Sequence, residues 1–209
     1  MPERLKIDPE NPRADQIADA AKVIQKGGLV MFPTTCLYGL GTDAFNVQAV
    51  ERIFDIKGRS RDKAILILIQ DKKDLDRLVR KIPSAAIRIM DTFWPGKVTL
   101  VFEANESLPS ALTAGTGKIG VRMCGHRVGA ELIRAARCPI TGTSANLAGS
   151  PGCSQVSDLD PDLAQQLDLI VDAGTLKGGV GSTVVDIASD YPKILRQGTV
   201  PATEILALF

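Results

Sequence analysis

The stretch from residue 46 to residue 69 constrains the fold more than any other part of this sequence. Apolar residues first recur at helical spacing, at Val47, Val50, Ile53 and Phe54. Asn46 precedes them and is a suitable N-cap. A continuous apolar run over residues 64–69 follows and predicts a buried strand. A helix must therefore lead into a buried strand, which is typical of an α/β domain.

Four cations and a glycine lie between this helix and this strand, in the segment Lys57-Gly58-Arg59-Ser60-Arg61-Asp62-Lys63. Arginine offers a planar fork of donors and lysine a compact charge, so the cluster suits recognition of a polyphosphate. The same residues could instead complement the C-terminus of the helix and stay solvated. The cluster alone leaves both interpretations open.

The composition restricts the class of protein. Hydrophobic residues make up 44% and charged residues 23% of the 209 residues, which is ordinary for a soluble globular chain. The formal net charge of +1 provides no global basic field for nucleic acid, and 4% aromatic residues leave few rings for stacking bases. Any anion site must therefore be local.

The cysteine and histidine content argues against a zinc site. The cysteines lie far apart without a C-x-x-C pair, at Cys36, Cys124, Cys138 and Cys153, and His126 is the single histidine. The spread is typical of reduced thiols, so we expect a cytoplasmic protein with no membrane partner. The first residues have no apolar core, so we expect no signal peptide, and no apolar run reaches membrane-spanning length.

Helical and extended patterns alternate irregularly along the chain. Further strands are predicted near residues 29–32, 97–102, 119–123, 138–143, 169–171, 184–187 and 193–198. Further helices are predicted near residues 17–24, 71–79, 84–93, 128–136 and 203–208. Since no linker divides them, we expect an α/β fold, with residues 1–209 as a single domain built on a twisted mixed β-sheet flanked by helices.

Several loops carry glycines or hydroxyl groups. Residues 115–120 read G-x-G-x-x-G, but a strand follows them where a dinucleotide fingerprint opens a helix. Residues 174–183 lack the lysine that a Walker A loop places before Ser182, although they could form a lid. Ser144 and Asn146 could hold a phosphate or form a turn. Cys36 has no nearby base, so we expect a small buried thiol.

Seven short motifs, in this order, resemble the YrdC/TsaC family of threonylcarbamoyl-AMP synthases over nearly the whole chain. They are Pro33-Thr34-x-x-x-Tyr38-Gly39-Leu40-Gly41, Lys57-x-Arg59-x-x-x-Lys63, Trp94-Pro95-Gly96-x-x-Thr99, Val121-Arg122, Thr143-Ser144-Ala145-Asn146, Gly181-Ser182-Thr183-Val184 and Leu195-Arg196-x-Gly198. The resemblance implies a YrdC-like domain that condenses L-threonine, bicarbonate and ATP to threonylcarbamoyl-adenylate and pyrophosphate, as a nucleotidyltransferase. A partner complex would then transfer the threonylcarbamoyl group to an adenosine of tRNA.

The resemblance also implies the roles of individual residues. It makes Lys57 and Arg59 catalytic. It assigns ATP to Lys57, Arg59, Lys63, Lys118, Ser144, Asn146 and Arg196. It assigns L-threonine to Thr34, Arg122 and Ser182. Mg²⁺ would accompany ATP, although no carboxylate cluster indicates a dedicated metal site.

The sequence departs from the family pattern at three positions. Cys36 stands where Thr is common, Ser60 where Pro is frequent, and Leu68 where longer members have His. Residues 7–12 resemble the YciO branch, but that branch tends to lose the cationic cluster that this chain retains. Because the chain ends at residue 209, we expect no additional C-terminal domain.

Other functions stay open at this point. A YciO-like protein, or a non-catalytic protein that binds tRNA or double-stranded RNA, could use the same cationic surface to contact phosphates. Another carbamoyl-adenylate enzyme, like the related domain of hydrogenase-maturation proteins, is a third candidate, although the zinc-finger-like cysteines of those proteins are missing.

Overall fold

Two mixed β-sheets with helices packed against them make up the computed structural model, which describes residues 2–189 and 191–209. The strands within these residues are β1 Glu3–Lys6, β2 Val30–Pro33, β3 Tyr38–Gly41, β4 Ile67–Ile69, β5 Val98–Glu103, β6 Lys118–Met123, β7 Ile140–Thr141, β8 Thr143–Ser144, β9 Leu169–Asp172, β10 Thr183–Asp186 and β11 Lys193–Arg196. The α-helices are α1 Ala14–Gln25, α2 Val47–Lys57, α3 Leu75–Leu78, α4 Ser84–Phe93, α5 Ser110–Thr113, α6 Arg127–Ala136, α7 Pro161–Gln165 and α8 Ala202–Leu206.

The five-stranded sheet has the order β1-β9-β2-β3-β8. Strand β9 pairs in parallel with β1 and β2, whereas β2 with β3 and β3 with β8 are antiparallel. Val30 and Phe32 of β2 belong to the same apolar cluster as Ile17 of α1 and Val128 of α6, while Met31 belongs to the larger core. Because alternate side chains point to opposite faces, β2 is buried on both sides.

The six-stranded sheet has the order β11-β10-β5-β6-β4-β7. Strands β10 and β5, and strands β4 and β6, are parallel, whereas the other pairs are antiparallel. Ile119 and Val121 of β6 lie in the larger core, whereas Lys118 and Arg122 alternate with them. The alternation gives this sheet one apolar face, packed in the core, and one face that carries polar groups.

The chain passes from one sheet to the other at Gly142. Strand β7 pairs with β4 in the six-stranded sheet, and β8 pairs with β3 in the five-stranded sheet. A Cβ atom on Gly142 would lie 2.6 Å from Cγ of Leu68 on β4, so a larger residue does not fit without movement. Thr143 and Ser144 directly follow this close approach and pair with Leu40 and Gly39 of β3.

The α/β class is confirmed, as is the N-cap of α2, because the Asn46 side chain accepts from the backbone N–H of Ala49 at 3.1 Å. The predicted strand at residues 64–69 is limited to β4. The strand predicted at residues 138–143 is wrong as a single element, since it is divided between β7 and β8 in different sheets. Strand β3 was not among the strands predicted from the sequence.

Every helix in the described residues is too short or too polar to cross a bilayer.

Candidate functional site

A cleft of about 600 Å³ opens over the polar face of the six-stranded sheet. Alternate residues of two neighbouring strand segments line its floor, namely Lys97, Thr99 and Val101, and Lys118, Gly120 and Arg122. With about 3.3 Å of rise per residue, the distance along β6 from Lys118 to Arg122 is about 13 Å. The floor is therefore long enough for a ligand with two distinct ends.

Loops from both sheets form the walls of the cleft. One wall comes from the loop between β2 and β3 and includes Thr34, Thr35, Cys36, Leu37, Tyr38 and Gly39. Another comes from the crossing between sheets and its continuation, and includes Gly142, Thr143, Ser144, Asn146, Ser150 and Gly152. The third includes Gly181, Ser182, Val184, Leu195, Arg196 and Thr199.

The charge of the lining is strongly one-sided. Among the described residues that line the cleft, five carry cationic side chains and none carries a carboxylate; the cations are Arg59, Lys97, Lys118, Arg122 and Arg196. Since the chain as a whole has a net charge of only +1, the positive charge is concentrated in this cleft. Concentrated fixed cations of this kind select for ligands with several negative charges.

Arg122 lies at one end of the floor and is only 8% exposed. Its Nε is buried without a hydrogen-bond partner among the described residues. Burial lowers the pKa of its guanidinium, an effect that the nearby Cys124 and Cys36 thiols oppose. A buried cation without a partner is costly, so Arg122 is poised to receive an anion.

Hydroxyl groups and a second arginine lie at the side of the floor formed by β5, β10 and β11. Oγ of buried Ser182 and Oγ1 of Thr99 share a hydrogen bond of 2.7 Å. Arg196 donates from Nη2 to the backbone carbonyl of Ser182 at 2.8 Å. These bonds orient the guanidinium of Arg196, although its side chain is otherwise exposed.

Lys118 marks the opposite end of the floor and forms an ion pair with Asp186. Its Nζ lies 2.6 Å from Oδ2 of Asp186, whose side chain is 12% exposed. The other carboxylate oxygen of Asp186 accepts from the backbone N–H of Ala188 at 2.9 Å. Asp186 thus holds the lysine at the cleft without lining the cleft itself.

Arg59 and Lys63 of the cationic segment occupy different positions. Arg59 lines the cleft and donates to the backbone carbonyls of Lys63 at 3.1 Å and Ala64 at 2.7 Å. Burial lowers the pKa of its guanidinium. Lys63 is exposed and does not line the cleft, so its contact with a phosphate stays a prediction.

Lys57 lies behind the loop that forms one wall. It is 3% exposed, and its Nζ donates to the backbone carbonyls of Ser144 and Asn146, each at 2.5 Å. Burial, with a smaller contribution from Arg59, lowers the pKa of this ammonium to about 8. Lys57 does not line the cleft, so its direct contact with ATP stays a prediction and its observed contacts are with the protein.

Ser144 and Asn146 line the cleft but also contact each other. Oγ of Ser144 donates to Oδ1 of Asn146, and Nδ2 of Asn146 donates to the carbonyls of Leu147 at 2.8 Å and Ser150 at 2.5 Å. These bonds keep the two polar side chains together at the wall, where the sequence predicted a phosphate or nucleotide contact.

The loop that carries Thr34 is tied to the glycine-rich loop after β9. Thr34 is buried and closes its own turn by donating from Oγ1 to the carbonyl of Leu37 at 2.7 Å. The hydroxyl of Tyr38 donates to the carbonyl of Gly174 at 2.7 Å, and the N–H of Gly178 donates to the carbonyl of Cys36 at 2.9 Å. The expected burial of Cys36 is wrong, since it is half-buried and lines the cleft.

Two charged residues at the site, Lys97 and Asp186, were not identified from the sequence. Lys97 directly follows the Trp94-Pro95-Gly96 motif, and its position two residues before Thr99 places both on one face of the extended chain. Asp186 ends an apolar strand, and no local signal indicates its pairing with a lysine 68 positions earlier. No group of three or more metal-binding side chains occurs in the part of the chain that the structure describes.

Comparison with known proteins shows extensive similarity. The family model Sua5_yciO_yrdC, described as "Telomere recombination", matches residues 22–198. The threonylcarbamoyl-AMP synthase of Pyrococcus abyssi is 38% identical over 190 residues, covering 91% of this chain and 56% of the relative. This chain therefore spans little more than half of that relative.

Two solved structures extend the comparison. A crystal structure of P. abyssi Sua5 complexed with L-threonine matches with a TM-score of 0.91 and 35% identity, covering 98% of this chain and 60% of that one. The crystal structure of E. coli YciO matches with a TM-score of 0.88 and 27% identity, covering 99% of this chain and 100% of that one.

Proposed function

The chain belongs to the Sua5/YciO/YrdC family, and from this membership and the geometry of the cleft we propose that it is a threonylcarbamoyl-AMP synthase. In this reaction L-threonine, bicarbonate and ATP form threonylcarbamoyl-adenylate and pyrophosphate. The observation that carries the proposal is the cleft, which the described residues line with five cations and no carboxylate, with Arg122 buried at one end and its Nε unpartnered among those residues.

The Arg122 end suits the amino acid. Threonine brings a carboxylate, which the guanidinium of Arg122 can bind through charge-assisted hydrogen bonds in a buried setting. Thr34 and Ser182 line the same cleft and are both buried, so each can help to fix the amino acid. The complex of P. abyssi Sua5 with L-threonine supports this choice of substrate.

Three of the four remaining cations suit the nucleotide. Arg59, Lys118 and Arg196 surround the rest of the cleft and can neutralise the phosphates of ATP. Ser144 and Asn146 supply hydrogen-bonding groups at the wall that continues from Gly142. Lys63 would have to move toward the cleft to contribute, since its side chain is exposed outside it.

The chemistry requires charge and positioning more than a protein nucleophile. The amine of threonine attacks the carbon of bicarbonate and water leaves, which gives a carbamate. A carbamate oxygen then attacks the α-phosphate as pyrophosphate leaves. Every species is anionic, so fixed cations lower the repulsion between the reacting groups. Arg59, which lines the cleft, is the proposed catalytic cation. Lys57 contributes as a positioning residue, because it contacts the wall at Ser144 and Asn146.

Mg²⁺ would enter with ATP and reduce the charge of its phosphates. The cleft lining provides hydroxyl, amide and cationic groups, which do not form the carboxylate cage of a resident metal. We therefore assign the metal to the nucleotide and give the chain no metal ligands.

The nucleotidyltransferase class follows from the transfer of the adenylyl group to the carbamate. Its product would pass to a complex that modifies tRNA. All four cysteines are free, which supports a reducing, cytoplasmic setting.

Pyrophosphate release from ATP tests the proposal. Release should require both L-threonine and bicarbonate, and mass spectrometry should detect threonylcarbamoyl-adenylate. At sub-saturating L-threonine Arg122→Gln should release far less pyrophosphate, whereas Arg134→Gln, a change at an exposed position of α6 outside the cleft, should keep the wild-type rate. A folded wild-type chain that binds ATP or RNA without release would contradict the synthase and favour a YciO-like or RNA-binding protein. Release with any amino acid would overturn only the threonine assignment.

A further inference from the structure

Cys36 differs from the other three cysteines in its surroundings. It is half-buried and lines the cleft, whereas Cys124 and Cys153 are each 2% exposed. Cys138 is half-buried but lies outside the cleft, and burial raises the pKa of its thiol to about 12, with Asp43 adding to the effect. Cys36 is thus the cysteine that a molecule entering the cleft can reach.

A second observation at the same place indicates an anionic ligand. Arg122 lines the cleft, is 8% exposed and has a buried Nε without a partner among the described residues. The Cys36 thiol lines the same cleft as this guanidinium. A molecule bound through a carboxylate at Arg122 would therefore be held in the cleft that Cys36 lines.

The other cations strengthen this selection. Lys97, Lys118, Arg59 and Arg196 share the lining with Arg122, and no lining residue in the described part of the chain is acidic. A cleft lined by charges of one sign raises the local concentration of oppositely charged molecules. This attraction weakens as the ionic strength rises. Reagents that carry carboxylates should reach Cys36 more often than neutral or cationic reagents.

We propose that Cys36 is a modification site at which the cleft captures anionic low-molecular-weight disulfides as a reversible mixed disulfide. The thiol gives its proton to water, and the thiolate attacks one sulfur of the reagent. The reagent's S–S bond breaks, and its other half leaves as a thiolate. Cys36 is thereby oxidised to the mixed disulfide, one half of the reagent is reduced, and an added thiol reverses the exchange.

The attached group would occupy the cleft beside Arg122 and block ligands there. Loss of turnover on modification rests on the proposed function. The covalent modification itself does not, because its measurement needs no substrate. A failed synthase assay and a failed modification experiment are therefore distinguishable.

The test compares oxidised glutathione, which carries carboxylates, with cystamine, which is cationic. The reduced full chain is treated with each reagent at low salt, and intact mass and peptide mapping give the rate at every cysteine. A synthetic peptide of residues 33–39 gives the intrinsic reactivity of the same thiol without the cleft. Cys36 should react first, and its anionic-to-cationic rate ratio should exceed that of the peptide by about tenfold or more.

Two further measurements locate the selectivity in the cleft. Arg122→Gln should lower the rate ratio, whereas Arg134→Gln should leave it unchanged. If Arg122→Gln does not fold, the wild-type chain still tests the proposal. High salt or inorganic triphosphate should lower its anionic-to-cationic rate ratio at Cys36 toward the ratio of the peptide. Preferential modification of Cys138, or a ratio at Cys36 equal to that of the peptide at low salt, would overturn the proposal.

Discussion

Lys57 binds Asn146 twice, through the backbone carbonyl at 2.5 Å and through the side-chain Oδ1 at 3.3 Å. The two residues are 89 positions apart, and the contact joins the end of α2 to the wall of the cleft. The lysine side chain is therefore committed to the protein in this structure. Its effect on a ligand would pass through the loop that it holds.

Replacing Lys57 with Met should destabilise the protein and weaken ATP binding together. The change removes a charged donor from two part-buried backbone carbonyls, which costs about 1–3 kcal/mol of unfolding free energy. Urea unfolding and the KM for ATP measure the two effects. Lys63→Met is the control for stability alone, because that lysine is exposed and its loss should change the unfolding free energy by less than about 0.5 kcal/mol. Unchanged stability in Lys57→Met would contradict the positioning role.

Deprotonation of Lys57 as the pH rises should change the stability of the protein and its affinity for ATP in opposite directions. Burial, then Arg59, lowers the pKa of Lys57 from 10.5 to about 8 in the folded chain. Between these values the unfolded chain binds more protons, so this group makes the unfolding free energy rise with pH. Affinity for ATP should fall as the ammonium is lost. Both trends should be absent from Lys57→Met when wild type and variant are compared at about pH 7 and about pH 9.5.

Replacing Arg122 with Gln should separate activity from stability. The variant loses charge-assisted bonds to the threonine carboxylate, so the KM for threonine should rise by about 10–100-fold. Its unfolding free energy should stay equal or increase, because a buried cation without a partner is removed. Arg134→Gln should change neither value. A large loss of stability in Arg122→Gln would instead show that the guanidinium supports the fold.

The Lys118–Asp186 pair should behave as one unit in a double-mutant cycle. Lys118→Met and Asp186→Asn each break a 2.6 Å ion pair that is only partly buried on the lysine side. We expect a coupling of about 1 kcal/mol in unfolding free energy, decreasing with salt. Each single variant should also raise the KM for ATP several-fold. Strict additivity of the two changes would exclude a role for Asp186 in holding the lysine.

Gly198 should tolerate no side chain, for a steric reason. A Cβ atom there would lie 2.3 Å from the backbone N of Thr183 and the backbone C of Ser182, so the chain beside Arg196 would have to move. Gly198→Ala should cost at least about 2 kcal/mol of unfolding free energy. Gly149→Ala is the control, because a Cβ atom at Gly149 would meet open space. Its φ of +89° is unfavourable for alanine, so this variant should lose only about 1 kcal/mol of unfolding free energy. Equal costs for the two variants would contradict the steric explanation.

Local patterns were sufficient to predict several elements and some of the site. Helix α2 and its Asn46 cap followed from apolar spacing and a capping side chain, which act within a few residues. Arg122 was expected at the site because the Val121-Arg122 motif resembles that of the YrdC/TsaC family. The roles assigned to individual site residues stay predictions, and so does the assignment of residues 1–209 to a single domain.

Other features depend on contacts between distant parts of the chain. The crossing between sheets at Gly142, the burial of Lys57 against residue 146 and the pairing of Lys118 with Asp186 have no local signature. The exposure of Cys36 to the cleft also depends on how the two sheets pack. Sequence periodicity reports which face of an element is apolar, because side-chain direction repeats along the backbone. It does not report which distant element covers that face, because only packing in three dimensions selects the partner.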